Sequence, residues 1–255
     1  MSKSNRPTRD ERRRAELEDR RARRRSRRTK QERSLLLPLS LGAVAVGVVG
    51  IIVFALVTAP PPAVDVRPPT VPSAYPLADG QALGRADAPL TIEIYSDFQC
   101  PACGVLANSV KPQLVRDYVD DGQVRLVYRD FAFLGAESTA AAVAGQCAAQ
   151  QNRFWQYHDY LFANQQGEDR GAFSAPRLEA MAEGAGLELE GYRACVADPT
   201  VRQRVLDERA AAAAVPIQST PTLVLDGEQQ IVGVPDYAAL RAAIDERLTE
   251  ADAQP

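Results

Sequence analysis

Cys100 and Cys103 stand two residues apart in the run Cys100-Pro101-Ala102-Cys103. Two thiols at this spacing can close a disulfide on themselves and pass it to another thiol pair through a mixed disulfide. The alternating, β-rich stretch Thr91 to Ser96 lies just before them and predicts a strand. Val105 to Val119, just after them, predicts a helix. Cys100 then falls at a helix N-terminus, where unpaired backbone N–H groups and the helix dipole favour a thiolate. Pro101 suits the first turn, which needs no N–H from it. Cys103, one turn on, is expected to be more buried and to act as the resolving thiol.

Other chemistries fit this pair less well. Attached c-type haem requires a histidine after the second cysteine, and position 104 is Gly104. A zinc site needs two more ligands. Only Cys147 and Cys195 remain among the four cysteines, and they do not form a second such pair. An inert structural disulfide within the motif is the third alternative. No metal and no cofactor are expected.

The elements around the pair can be read in order. Asp121-Gly122 marks a turn, and Val124 to Tyr128 predicts a second strand. Residues 137–214 become helical and Ala-rich, with helix starts at Ser174/Pro176 and Asp198/Pro199. After Pro216 the pattern returns to β: Thr222 to Leu225, the turn Asp226-Gly227, then Gln230 to Val232. Asp236 caps a last helix with Tyr237, Leu240, Ile244 and Leu248 on one face. The order β-α-β, helical block, β-β-α predicts an α/β sheet. Ser219-Thr220-Pro221-Thr222 sets a proline directly before a strand.

The run Leu90 to Cys103 (LTIEIYSDFQCPAC) closely resembles the DsbA-like branch of the thioredoxin superfamily. Matching pieces follow in order: Val127-Tyr128-Arg129-Asp130-Phe131, Phe154-Trp155 through His158-Asp159 to Leu161-Phe162, Gly186-Leu187, Thr220-Pro221-Thr222 and Gly233. The resemblance spans about residues 77–248. It implies a thioredoxin-like fold with a helical domain inserted before the cis-proline strand. It implies Cys100 as nucleophile, Cys103 as resolving thiol, and Thr220 and cis-Pro221 beside them, offering backbone groups to a bound peptide. It further implies a structural disulfide between Cys147 and Cys195; two unpaired buried thiols are the alternative.

Two departures bear on the chemistry. Ala102 stands where strongly oxidising members carry histidine, so a milder oxidant is expected. Ile94 stands six residues before the nucleophile, where many relatives bury a glutamate, and strand alternation turns Glu93 to the opposite face. Asp97 reads as an exposed turn residue rather than a substitute proton acceptor. His158, the only histidine, reads as a packed structural residue among aromatics, and Arg129 with Asp130 as a polar pair ending the second strand.

The chain's N-terminal quarter has a different character. The net charge over 255 residues is −3, yet residues 1–33 hold 15 Lys/Arg against 6 Asp/Glu, a net of +9. Leu35 to Val57 then runs without a charge, and as a helix would reach roughly 34 Å, enough for a bilayer core. A basic flank before such a span puts the N-terminus in the cytoplasm and the body outside. Nucleic-acid binding by the arm is the weaker reading, as is a cleaved signal peptide, because Pro60 follows the small-residue site Val57-Thr58-Ala59. Seven prolines between residues 58 and 76 predict an extended stalk.

The expected organisation is therefore a basic arm over 1–34, one transmembrane helix over 35–57, a Pro-rich linker over 58–76, thioredoxin-like parts over 77–136 and 215–250, a helical insertion over 137–214 and a short tail over 251–255. The expected activity is disulfide exchange at the cell membrane with cysteine-containing exported proteins, with the protein acting as oxidant. The resemblance implies reoxidation by a quinone-linked membrane partner. A reductase or isomerase of the same fold, or a redox-inert tethered binding module, is the alternative. The intact cysteine pair argues against the inert module, which would have no need of it.

Overall fold

The computed structural model describes residues 17–26, 54, 64–70, 74–214 and 217–252. It divides into two units, 1–63 and 64–255. In the first, residues 17–26 form an exposed helix built from strong helix formers, with Arg23 donating to Asp19 one turn back. The uncharged run 35–57 lies outside the described residues except for Phe54. Among the described residues no helix is long and apolar enough to cross a membrane.

The second unit is built on a six-stranded sheet of order β1-β2-β4-β3-β5-β6. The strands are β1 Ala78–Asp79, β2 Ala82–Leu83, β3 Leu90–Ser96, β4 Val124–Asp130, β5 Thr222–Leu225 and β6 Gln229–Val232. The central strand β3 pairs in parallel with β4 and antiparallel with β5. Its alternation decides its faces: Leu90, Ile92 and Ile94 enter the main core with Val124, Leu126 and Tyr128 of β4. Glu93 and Tyr95 fall on the other face. Asp226 and Gly227 both adopt positive φ and close the β5–β6 hairpin, as a tight primed turn requires. The two-residue strands β1 and β2 were too short to carry a pattern in the sequence.

A parallel pair needs a helical crossover. Between β3 and β4 it is α1 Pro101–Val105, a wide π turn Leu106–Val110, α2 Lys111–Leu114 and a second π turn Val115–Val119. Pro112 has no N–H and crowds the turn before it, which accounts for the first widening. Five helices form the insertion between β4 and β5: α3 Ala136–Gln150, α4 Phe154–Ala163, α5 Ala175–Gly184, α6 Leu189–Ala197 and α7 Pro199–Ala214. The chain ends in α8 Tyr237–Asp252, whose start is capped by the Asp236 carboxylate accepting from Ala238 and Ala239 N–H.

Residues of the Pro-rich stretch from Val64 onward seat on this body. Arg67 and Asn164 exchange backbone and side-chain hydrogen bonds, both at 2.8 Å. The Tyr75 hydroxyl donates to Asp159 at 2.5 Å and accepts from the Lys111 ammonium at 2.6 Å. Lys111 also pairs directly with Asp159, and His158 Nδ1 lies 2.8 Å from the same carboxylate. This group is buried between α2 and α4. Burial opposes charge on Asp159, but the Lys111 ammonium and the His158 hydrogen bond together outweigh it and hold the carboxyl down at about 2. Burial, with Lys111 nearby, pushes His158 down to about 4, so its imidazole is neutral. His158 packs edge-on against Tyr128 and Phe162.

Candidate active site

β3 delivers the chain to the site. After Ser96 a turn closes with Cys100 N–H donating to the Asp97 carbonyl at 3.0 Å, and α1 begins at Pro101. Cys100 is the N-cap residue, with φ −72° and ψ 120°. Its carbonyl accepts the first helical hydrogen bond, from Gly104 N–H at 3.1 Å. Cys100 keeps 7% of its surface and Cys103 only 1%. Both are free thiols. Cys103 is the more buried of the two, as expected, although Cys100 is itself enclosed.

The loop before β5 covers it. The Thr220–Pro221 peptide bond is cis, and the Cys100 Sγ lies 3.4 Å from the Thr220 carbonyl oxygen. The Pro221 carbonyl accepts from Gly233 N–H at 2.8 Å, and the Thr222 hydroxyl donates to the Ser219 carbonyl at 2.8 Å, so both sides of the loop are tied. Cys100, Cys103, Thr220 and Pro221 are therefore brought together. Cys147 and Cys195 lie elsewhere, where a disulfide with S–S 2.07 Å joins α3 to α6.

The two motif thiols differ sharply. A hydrogen bond from Cys103 is the largest influence on Cys100. With the Thr220 side chain and the backbone N–H groups of Cys103 and Ala102, it outweighs burial and lowers Cys100 to about 6. Burial and the adjacent Cys100 sulfur push Cys103 far above the ordinary thiol range. One thiolate and one proton donor is the arrangement a nucleophile and its resolving partner require.

Two sequence expectations need correction, and one residue went unread. Asp97 is not an exposed turn residue: it is 1% exposed. Its carboxylate accepts from the backbone N–H of Gln99, Phe133 and Leu134 and from the Ser138 hydroxyl, at 2.6 to 3.0 Å. The insertion folds over it, which a local reading of the turn cannot show. Arg129 and Asp130 do not pair, because alternation sends them to opposite faces. Arg129 instead grips Glu93 across the sheet, while Asp130 is buried and accepts from Gln81 at 2.9 Å and Gln146 at 3.3 Å. The unread residue is Gln99, to which the sequence analysis assigned no role. It is fully buried, donating to Ser138 at 2.9 Å and accepting from Asp169 N–H at 2.5 Å. The Asp97-x-Gln99 spacing of an Asx turn was the available signal.

Comparison with known proteins places this site in context. A family model described as thioredoxin matches residues 78–246. A probable disulfide bond formation protein D of Bacillus cereus is 27% identical over 172 residues, covering 66% of this chain and 78% of that protein. The oxidised crystal structure of BdbD from Bacillus subtilis superposes with a TM-score of 0.62 at 24% identity, over 72% of this chain and 100% of that one. The reduced form of a disulfide bond oxidoreductase, DsbG, from Mycobacterium tuberculosis superposes with a TM-score of 0.54 at 26% identity, over 70% and 91% of the two chains.

Proposed function

The chain belongs to the thioredoxin family and is a thiol–disulfide oxidoreductase, and we propose that it oxidises cysteine pairs of exported proteins through Cys100 and Cys103. In the forward direction a substrate thiolate attacks the Cys100 sulfur of the Cys100–Cys103 disulfide. That bond breaks, the electron pair leaves on Cys103, and Cys103 takes up a proton. The second substrate thiolate then attacks the substrate sulfur of the mixed disulfide and expels Cys100 as thiolate. The substrate loses two electrons and the motif gains them. Thr220 and Pro221 lie against Cys100 and serve as the edge on which the substrate backbone rests.

The direction rests on the setting of Cys100 as N-cap of α1, where Cys103 and the N–H groups of Ala102 and Cys103 favour its thiolate. Moving its thiol from the ordinary value of 9.0 to about 6 ionises it at pH 7, which favours the reduced motif about tenfold, or about 30 mV. A stabilised reduced form moves the motif toward the oxidising side, the direction the proposal takes.

The same proposal puts the body outside the cytoplasm, anchored through residues 35–57 with the basic arm inside. Two features support it. The arm's charge of +9 directly precedes the uncharged run. The body carries the Cys147–Cys195 bridge, of a kind that persists in oxidising compartments. Reoxidation then falls to a quinone-linked membrane partner. The test is Cys103→Ser expressed in its own cell. Without Cys103, an adduct formed when the Cys100 thiolate attacks a disulfide of an exported protein has no resolving thiol in the motif, so covalent adducts of Cys100 with exported proteins should accumulate. Adducts with cytoplasmic proteins, or trapping through position 103 in Cys100→Ser, would contradict the proposal.

A further inference from the structure

Gln165 lies just past the end of α4, outside the two thioredoxin-like parts. Its side-chain amide has two N–H donors, and both are used on the turn that carries the nucleophile. Nε2 donates to the Phe98 carbonyl at 2.7 Å and to the Cys100 carbonyl at 2.9 Å. Gln99, between those two residues, is held by Ser138 and Asp169, also of the insertion. The tripeptide Phe98-Gln99-Cys100 is thus gripped by the insertion at three successive residues.

Two further observations show that the amide is fitted to this place. A Cβ at Gly104 would lie 2.8 Å from the Gln165 Oε1, so a larger residue there would have to push the amide from its present seat on the first turn of the helix. Asn164, its neighbour, is fixed by donating to the Tyr160 and Arg67 carbonyls and accepting from Arg67 N–H, so the backbone that presents Gln165 is anchored.

We infer that Gln165 is a positioning residue of the redox centre, holding the Cys100 peptide so that the reduced motif is favoured. The inference deepens the proposed function and rests on Cys100 being the nucleophile. The Cys100 carbonyl is the first acceptor of α1, already taking one hydrogen bond from Gly104. A second donor there brings the positive end of an N–H dipole to the helix start, beside the sulfur that carries charge only in the reduced state. It also fixes the turn so that the N–H groups of Ala102 and Cys103 stay directed at that sulfur.

The test uses the full-length protein with Gln165→Met, which keeps length and bulk without donors, and Gln165→Glu, which sets acceptors against the two carbonyls. Thiolate absorbance against pH gives the Cys100 midpoint, and equilibration with glutathione gives the redox constant. In Gln165→Met the midpoint should rise and the constant should move about three- to tenfold toward the disulfide, the worth of one ordinary hydrogen bond made more strongly in one redox state. Gln165→Glu should move both further in the same direction. Gly104→Ala, which crowds the amide, should shift both in the same direction as Gln165→Met, by no more than that variant. If the wild type exchanges with glutathione while the Met and Glu variants keep its midpoint and constant, this inference alone fails. A wild type that does not exchange through Cys100 would overturn the proposed function and this inference with it.

Discussion

Cys103 donates a hydrogen bond to the Cys100 sulfur, and the two thiols of one motif are thereby driven in opposite directions. Cys100 falls to about 6, whereas Cys103, enclosed in the core, rises far above the thiol range. The geometry makes one sulfur a thiolate at neutral pH and keeps a proton on the other.

This asymmetry sets the reactivity of the reduced protein. Alkylation of Cys100 should rise with pH through a midpoint near 6 and be flat above it, while Cys103 stays unreactive in the folded state. Cys103→Ala removes the largest contribution and should move the midpoint upward. Rate profiles with a small alkylating agent, mapped by mass spectrometry, measure both.

Lys111 and Asp159 form a buried ion pair with Tyr75 completing it. Lys111→Met would strand the Asp159 carboxylate in the core, and the expected loss is about 3–5 kcal/mol. Changing Asp159 to Asn as well should recover part of it, since no buried charge then remains. Urea unfolding of the two variants, monitored by far-ultraviolet circular dichroism, decides the point.

Asp130 gives the protein a pH dependence of stability. Burial, then the nearby Glu208, raise its carboxyl to about 8 against the reference value of 3.8. The folded chain therefore holds a proton that the unfolded chain has lost between those two values. Its contribution is full below about 4, falls as pH rises, and is gone above about 8. Between those limits each step of one pH removes about 1.4 kcal/mol. Asp130→Asn keeps an acceptor for Gln81 and Gln146 and should flatten this dependence, most visibly as a stability gain at pH 8 over pH 5. Urea midpoints of the wild type and the variant across that range measure it.

Much of this site was legible in the sequence because its signals are local. Cys100-Pro101-Ala102-Cys103 between a strand and a helix announces the thiol pair, and Asp226-Gly227 announces the hairpin. What the sequence concealed depends on contacts between distant segments. Asp97 looks like a turn residue until the insertion closes over it. Lys111 occupies the buried stripe of its helix, four residues after Ala107 and three before Leu114, yet its charge argues for solvent until Asp159 is seen 48 residues on. Tyr75, the lone aromatic residue of a proline-rich run, was the available hint that this stretch seats on the body. Gln165 carries no pattern at all; only the placement of its amide against two carbonyls reveals it.

Whether the motif oxidises other thiols is decided by the reduction potential of the Cys100–Cys103 pair. The protein is equilibrated in graded glutathione buffers, quenched in acid, alkylated, and the two motif thiols are counted by mass spectrometry. The expected potential lies between about −200 and −120 mV, above the glutathione poise but below the strongest oxidant of this kind because Ala102 replaces the histidine. A value near about −270 mV, where thioredoxin itself lies, would make the protein a reductant and overturn the proposed direction of electron flow.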